Sequence, residues 1–223
     1  MPSAYQKAYK GVAMEGVIAS WYAKNTGRDL APFRALAARI AERLRPGAQI
    51  LEIAPGPGYL AIALARFGRY DITGLDISRS FVTIAIENAA EAGVEVEFRV
   101  VDAGAMPFAD ATFDFIVCRA AFKNFTEPMQ ALREMQRVLK LAGQALIIDL
   151  RKDASSAAID REVRDMNLPW LDRVMTAAIL KYALRPQAYS LADIRRMAVA
   201  VFRRCEIETD GEPSMGFQAF LTK

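Results

Sequence analysis

Histidine is absent from this 223-residue sequence. Its absence excludes a histidine general base, a histidine-ligated metal and the Ser/His and Cys/His nucleophile systems of hydrolases. We therefore expect no metal site. Any proton transfer would have to use a carboxylate, a tyrosine, a lysine or solvent.

The sequence also has only two cysteines and a small net charge. Cys118 and Cys205 lie far apart, in apolar strand-like runs, and two buried reduced thiols are expected in preference to a disulfide. Lys and Arg number 29 against 26 Asp and Glu, a formal charge of +3. No Lys/Arg run indicates a nucleic-acid surface, so no nucleic-acid partner is expected. The hydrophobic fraction of 53% is sufficient for a large packed core.

We also expect neither an export signal nor a membrane span. Lys7, Lys10 and Glu15 interrupt the N-terminal segment, so no apolar signal core forms there. The longest charge-free run lies between Glu52 and Arg66 and is too short to cross a bilayer. We expect a cytoplasmic protein. The oligomeric state stays open.

Short apolar runs alternate with helical patterns along most of the chain. Strands are predicted at 49–53, 70–75, 94–101, 113–118, 144–150, 202–209 and 217–221, and helices at 3–25, 33–44, 59–67, 80–92, 129–139 and 191–201. This alternation predicts βαβ units and a parallel sheet with helices on both faces. The last two strands, joined by a short connection, should be antiparallel neighbours.

A glycine-rich turn follows the first predicted strand, in the sequence EIAPGPG at 52–58. Glycine lets a ligand approach the backbone closely, and the next helix offers unpaired N–H groups. The same turn also satisfies a relaxed dinucleotide fingerprint, Gly56-x-Gly58-x-x-Ala61, with Asp76 twenty positions beyond Gly56. A nicotinamide enzyme, and a tight turn without a ligand, are therefore alternatives at this point.

Three acidic residues near the ends of successive strands favour another ligand. Glu52 lies inside a strand, where its charge needs a partner such as a cationic amino group or backbone donors of the loop. Asp76 is placed to accept hydrogen bonds from ribose hydroxyls. Asp102 could meet the exocyclic amino group of adenine. Three acids fit a nucleoside bearing an amino acid better than one bearing a pyrophosphate.

With these motifs, residues 48–150 resemble the class I S-adenosylmethionine-dependent methyltransferases, particularly the type 11 small-molecule group related to quinone and sterol methyltransferases. The matching motifs are the turn at 52–58, Asp76, the segments DAGAMPF at 102–108 and FDFIV at 113–117, and RVLKLAG at 137–143. Two departures occur. Ala54 replaces the first glycine, where a modest shift in loop geometry is expected, and Leu141-Ala142 replaces Pro-Gly in a turn before the fifth strand.

The resemblance implies a Rossmann-like doubly wound sheet of seven strands, mostly parallel with an antiparallel last strand, and S-adenosylmethionine as cofactor. Gly56 and Gly58 should leave room for its methionine portion. Asp76 should hold its ribose, and Asp102 should accept a hydrogen bond from its adenine amino group. The implied cofactor-binding residues are Glu52, Ala54, Gly56, Gly58, Tyr59, Asp76, Ile77, Asp102, Ala103, Arg119 and Ala120. Arg119 and Ala120 should line the sulfonium region, while Ile77 and Ala120 fit a core role equally well.

The resemblance also predicts how the chain is organised into segments. We expect one domain, with N-terminal helices at 1–45, a cofactor-binding core at 46–150, a helical substrate lid at 151–190, and a closing helix and strands at 191–223. The lid carries Met166, Trp170 and Met175 on apolar helical faces that either bury an apolar acceptor or pack on the sheet. Trp21 and Tyr22 would close the other side of the pocket.

The expected reaction is methyl transfer to a small-molecule acceptor through a nitrogen, sulfur, oxygen or carbon nucleophile that the sequence does not resolve. Positioning of the acceptor should supply much of the acceleration. The candidates for a protein base are Tyr22, Asp149 and Asp153, followed by Tyr5, Tyr9, Glu15 and Lys123. Each of them fits a structural role better. A non-catalytic methyltransferase-like binding module is the remaining alternative.

Overall fold

The computed structural model describes residues 9–10, 14–166, 168–209 and 214–223. Their seven-stranded sheet has the order β3-β2-β1-β4-β5-β7-β6. The strands are β1 Gln49–Ile53, β2 Asp71–Asp76, β3 Glu97–Val100, β4 Phe113–Arg119, β5 Leu139–Leu150, β6 Arg204–Glu208 and β7 Gly216–Thr222. Strands β1 to β5 pair in parallel, whereas β7 runs antiparallel to β5 and β6. The predicted fold class is confirmed.

Helices cover both faces of the sheet. They are α1 Gly16–Thr26, α2 Ala31–Ala41, α3 Tyr59–Phe67, α4 Arg79–Ala92, α5 Pro128–Val138, α6 Ser156–Asp165, α7 Trp170–Ala178 and α8 Leu191–Val199. Side chains alternate across a strand, so neighbouring residues enter opposite cores. In β1, Ile50 packs with α2, α3 and α4, whereas Leu51 packs with α5 and α8.

The topology places a crevice at the end of β1. Strand order runs from β1 through β2 to β3 on one side and through β4 to β5 on the other, so the crossovers diverge between β1 and β4. Ligands of open parallel sheets bind where the order reverses, beyond the carboxyl ends of the strands. The glycine-rich turn after β1 and the loop after β4 therefore face the same space.

Several boundaries differ from the sequence predictions. Strand β3 is shorter than predicted and spans only Glu97–Val100. Helix α5 ends at Val138, and β5 begins at Leu139, five residues earlier than expected, because Leu139 already pairs with Phe113. Ala142, in the turn-like segment of this strand, adopts a φ of +62°. Of the one or two irregular helices predicted over 3–25, the described residues show only α1, whereas Tyr9 forms a β-bridge with Phe125. Residues 3–8 and 11–13 lie outside the described residues.

The cysteine prediction holds for one residue only. Both cysteines are free thiols, and Cys118 in the central strand β4 is buried. Cys205 is half-buried because it lies on β6, at the edge of the sheet. Within the described ranges, no helix combines the length and apolarity needed to cross a bilayer.

Candidate functional site

A cavity of about 860 Å³ opens at the carboxyl ends of the central strands. Its floor is the turn after β1, together with the residues that follow β2, β3 and β4. Helix α1 forms one wall, and the end of α7 with the π-helical segment Ile179–Leu184 forms another. The cavity therefore lies where the strand order predicts a ligand site.

The turn after β1 is held in an unusual backbone conformation. Ala54 and Gly56 both have φ of +55°, in the left-handed region that favours glycine. The Ala54 N–H donates to the Leu75 carbonyl at 2.7 Å, which fixes the turn to β2. Ala54 thus accommodates its extra methyl group through backbone strain, at a cost on the order of 1 kcal/mol.

The two predicted ligand-contacting glycines have different surroundings. Gly56 lines the cavity, and an added Cβ there would meet nothing within 4 Å. Gly58, with φ of +82°, is not among the residues that line the cavity. An added Cβ at Gly58 would lie 2.9 Å from the Phe98 ring and 3.0 Å from the Ala85 methyl. Gly58 therefore lets the start of α3 pack closely on β3 and α4, and its contact with a ligand stays a prediction.

Glu52 is the least satisfied polar group of the cavity floor. The residue is 3% exposed, and its Oε2 atom has no hydrogen-bond partner among the described residues. Burial raises the pKa of its carboxyl to about 8, against the smaller opposing effects of the Ala61 N–H and the Arg119 charge. A buried carboxylate without a partner is costly, so this position favours a cationic ligand group.

Asp76, at the end of β2, ties the glycine turn to the next helix. Its carboxylate accepts from the Ser78 N–H at 2.9 Å and from the Gly56 N–H at 3.1 Å. Burial nevertheless raises the pKa of Asp76 to about 6, because the two backbone donors only partly offset desolvation. Ile77, the next residue, lines the cavity.

Asp102 and Ala103 line the cavity beyond β3. The Asp102 Oδ1 atom accepts from the Gly104 N–H at 2.8 Å, and the Gln130 amide donates to the Gly104 carbonyl at 2.7 Å. This local turn holds the Asp102 carboxylate at the cavity wall while leaving acceptor capacity for a ligand.

Arg119, Ala120 and Tyr59 complete the predicted set, and all three line the cavity. Ala120 has a φ of +57°. The Arg119 guanidinium lies 4.7 Å from the centre of the Phe33 ring, a cation–π contact. The Tyr59 hydroxyl donates to the Ala23 carbonyl at 2.9 Å and so links the start of α3 to α1.

Of the three principal base candidates, only Tyr22 lines the cavity. Burial raises the pKa of its phenol, and its ring contacts Phe81 edge-on at 5.6 Å. Asp149 is buried beneath the cavity, where it accepts from the Lys123 backbone N–H and ammonium, each at 2.9 Å. Asp153 pairs with Arg151 at 3.0 Å and is absent from the lining. The structure therefore corrects the expectation that Asp149 and Asp153 face the pocket.

The further base candidates also differ in whether they line the cavity. Glu15 accepts from the Arg79 and Ser80 N–H groups at 3.0 Å, so it caps α4 and does not line the cavity. Lys123 and Tyr9 line it. Tyr5 lies outside the described residues.

The segment 151–190 contributes to the cavity through residues other than those expected. Thr176, Ile179, Leu180 and Leu184 line it, whereas Trp170 and Met175 are 70% and 59% exposed. Met166 packs against the small buried cluster of α6. Of the two alternatives left open for Met166, Trp170 and Met175, neither is observed for the two exposed residues, and none of the three lines the cavity. Trp21 and Tyr22 do line the opposite wall.

Sequence reasoning missed other lining residues, among them Asn124. The Asn124 amide donates to the Tyr9 hydroxyl at 3.2 Å, and both residues line the cavity. No sequence motif marks this contact, because 115 positions separate the two residues. Among the described residues, no group of three or more Cys, Asp or Glu side chains is placed to hold a metal ion.

Comparisons with known proteins agree with this geometry. Residues 51–147 match the model of the family described as "Methyltransferase domain". The "Uncharacterized methyltransferase YcgJ" of Bacillus subtilis is 37% identical over 102 residues, covering 45% of this chain and 40% of that protein. The "Ubiquinone/menaquinone biosynthesis C-methyltransferase UbiE" of Bordetella avium is 31% identical over 165 residues, covering 69% of this chain and 64% of that protein. The chain thus spans less than two thirds of either relative.

A solved structure shows the same fold. The crystal structure of a putative S-adenosyl-L-methionine-dependent methyltransferase from Methanococcus maripaludis superposes with a TM-score of 0.66. The two chains are 24% identical, and the match covers 92% of each. The architecture is therefore common to both over nearly their whole lengths.

Proposed function

Because the chain contains a class I S-adenosylmethionine-dependent methyltransferase domain, we propose that it transfers the cofactor's methyl group to a small-molecule acceptor held in the 860 Å³ cavity. S-adenosylmethionine, the cofactor of this family, supplies an electrophilic sulfonium methyl group when bound. The acceptor nucleophile is a nitrogen, sulfur, oxygen or carbon atom of a small organic molecule.

The observation that carries this proposal is the unsatisfied carboxyl of Glu52 beside an open glycine turn. Its free Oε2 atom is suited to a cationic amino group, and Gly56 leaves room for a ligand next to the backbone. A dinucleotide would instead bring a pyrophosphate toward Glu52 and Asp76. At pH 7 Asp76, with a pKa of about 6, is mostly ionised and repels a pyrophosphate, whereas a cationic amino group would stabilise the ionised form of Glu52, so the acids favour a nucleoside bearing an amino acid.

We assign the rest of the cofactor to the remaining strand ends. Asp76 has two backbone donors on its carboxylate and retains acceptor capacity for ribose hydroxyls. Asp102 would accept from the adenine amino group, and Ile77 would pack against the ring. Arg119 and Ala120 would border the reacting centre. The role of these residues is to bind and orient the two substrates.

The lining of the outer cavity favours an apolar or aromatic acceptor. Ile18 and Trp21 come from α1, and Ile179 and Leu180 from the segment that we propose as the lid. The Bordetella avium relative bears the name of a quinone-biosynthesis C-methyltransferase. A hydroquinone is therefore the first acceptor class to test, ahead of thiols, phenols and heterocyclic amines.

The test has two stages. Calorimetric titration with S-adenosylhomocysteine and with NADP under identical conditions separates the two cofactor classes. We expect binding of the first and none of the second, and tighter binding of NADP would overturn the assignment. Cofactor turnover with the acceptor panel follows. Binding of S-adenosylhomocysteine without turnover of any acceptor would indicate a non-catalytic binding module instead of an enzyme.

A further inference from the structure

Exposed apolar side chains are concentrated on two elements that also contribute residues to the cavity wall. Among the described residues, fourteen large hydrophobic side chains are exposed, and nine of them belong to α1 or to the segment 170–182. We call these nine the mouth surface; they are Val17, Ile18, Trp21, Trp170, Leu171, Val174, Met175, Ile179 and Tyr182. Val17 is 85% exposed and Tyr182 77%. Scattered apolar residues are ordinary, but their concentration on two elements beside a cavity points to an interaction site.

The mouth surface is continuous with the cavity. Ile18, Trp21 and Ile179 are exposed to solvent and also line the cavity. An apolar molecule lying on the outside of α1 or of the 170–182 segment would therefore meet the cavity without crossing a polar rim at these residues. Helix α7 itself has no buried residue, so it stands on the surface with its apolar side chains outward.

The charge of these elements restricts what could cover them. Helix α1 contains Lys24 and no acid, and the segment 170–182 contains Arg173 and Lys181 against Asp172. Their formal charges of +1 and +1 add to +2. Lys181 pairs with Asp160 of α6, while Lys24 is exposed. An anionic surface is thus favoured over a second copy of this face, whose charge would have the same sign.

We propose that the mouth surface docks on an anionic phospholipid bilayer and brings the cavity opening to the lipid. Tryptophan and tyrosine are suited to the headgroup level, and helices with apolar side chains and nearby cations bind in the plane of the interface. Delivery of an apolar acceptor from the lipid into the cavity rests on the methyltransferase function proposed above. The docking itself does not.

The test is flotation of the full chain with vesicles of phosphatidylcholine alone or with 30% phosphatidylglycerol. The triple variant Trp170→Gln/Leu171→Gln/Val174→Gln changes only exposed residues that do not line the cavity. We expect the loss of three apolar contacts to lower partitioning at least about tenfold. Leu141→Gln/Val199→Gln, at exposed positions outside the mouth surface, is the matched control and should bind as the parent does.

A charge variant tests the electrostatic part separately. Lys24→Glu should weaken binding to the anionic vesicles and leave binding to neutral ones unchanged, with Arg45→Glu as an exposed control before β1. Titration with S-adenosylhomocysteine verifies that each variant is folded.

Absence of vesicle binding by the parent protein, or equal binding by parent and triple variant, would overturn the proposal. So would a parent dimer that the triple variant converts to monomers without any lipid binding, since the surface would then join two copies. Vesicle binding by a protein that turns over no acceptor would retain the docking surface and reject the function.

Discussion

The unpartnered carboxyl of Glu52 makes the stability of the protein depend on pH in a way that one substitution should remove. Burial raises the pKa of this group from 4.5 to about 8. Between these values the folded protein holds a proton that the unfolded chain releases. The contribution of this group to stability is therefore fully present below pH 4.5 and is lost progressively as the pH rises through about 8. Glu52→Gln has nearly the same shape and cannot ionise.

The magnitude follows from the two pKa values. At about 1.4 kcal/mol per pH unit, the difference between 4.5 and about 8 corresponds to at most ~5 kcal/mol. Wild type and Glu52→Gln should differ little in free energy of unfolding at pH 5. At pH 9 the variant should be the more stable protein, by several kcal/mol. The contribution of Asp76, whose pKa is also raised, is common to both proteins and cancels in the comparison.

Urea unfolding at pH 5, 7 and 9, without nucleosides, measures the effect. Glu42→Gln, at an exposed carboxyl after α2, controls for a change in net charge. S-adenosylhomocysteine should reduce the loss of stability at pH 9 in wild type only, because its amino group would form an ion pair with the Glu52 carboxylate. Parallel stability profiles for wild type and Glu52→Gln would show that the carboxyl has an unrecognised partner, and the reasoning from burial would fail.

Four further outcomes are expected. Asp76→Ala should weaken S-adenosylhomocysteine binding by roughly 2 to 4 kcal/mol while the chain stays folded, and an unchanged calorimetric affinity would reject its ribose role. Asp149→Asn should lower the free energy of unfolding by about 3 to 5 kcal/mol because it isolates the buried Lys123 ammonium. The exposed pair of Lys140 serves as control, since Lys140→Ala should cost about 1 kcal/mol or less in the same denaturation assay. Amide exchange in 151–190 should slow when cofactor and acceptor are both bound, and exchange as slow as in the central strands without ligand would identify that segment as ordinary core. The pH profile of kcat/KM should move with the pKa of the acceptor, whereas a profile fixed across acceptors would reveal a protein base.

The sheet could be predicted from the sequence because its signals are local. The strand at Gln49–Ile53 and the helix at Tyr59–Phe67 begin and end where their apolar patterns and the intervening Gly/Pro turn place them. The carboxyl ends of parallel strands share one edge, so acids at successive strand ends had to converge. The meeting of Glu52, Asp76 and Asp102 at one cavity follows from that topology.

What the sequence could not supply depends on contacts between distant residues. Gly58 belongs to the same motif as Gly56, but its lack of a side chain leaves room for the Phe98 ring, which is forty positions away in the sequence. Asp149 follows the same strand-end pattern as Asp76, yet Lys123 binds it beneath the cavity. The inward side of the 170–184 segment depends on π-helical turns, which a 3.6-residue period does not reveal.

These placements bear on how the proposed methyl transfer would proceed without histidine. In the described part of the cavity, Tyr22 has a phenol whose pKa is raised by burial, so it holds its proton at neutral pH. The Lys123 ammonium donates to Asp149 at 2.9 Å and to the Ala120 carbonyl at 2.6 Å, so the protein already holds it in place. Asp149 is committed to the same pair. Tyr22 is thus a poor base at pH 7, and Lys123 and Asp149 are held by each other. Under the proposed function, an acceptor that is already nucleophilic at that pH, or that loses its proton to solvent, would need only to be held in line with the sulfonium methyl group. The apolar walls and the strand-end acids would hold the two substrates in that arrangement.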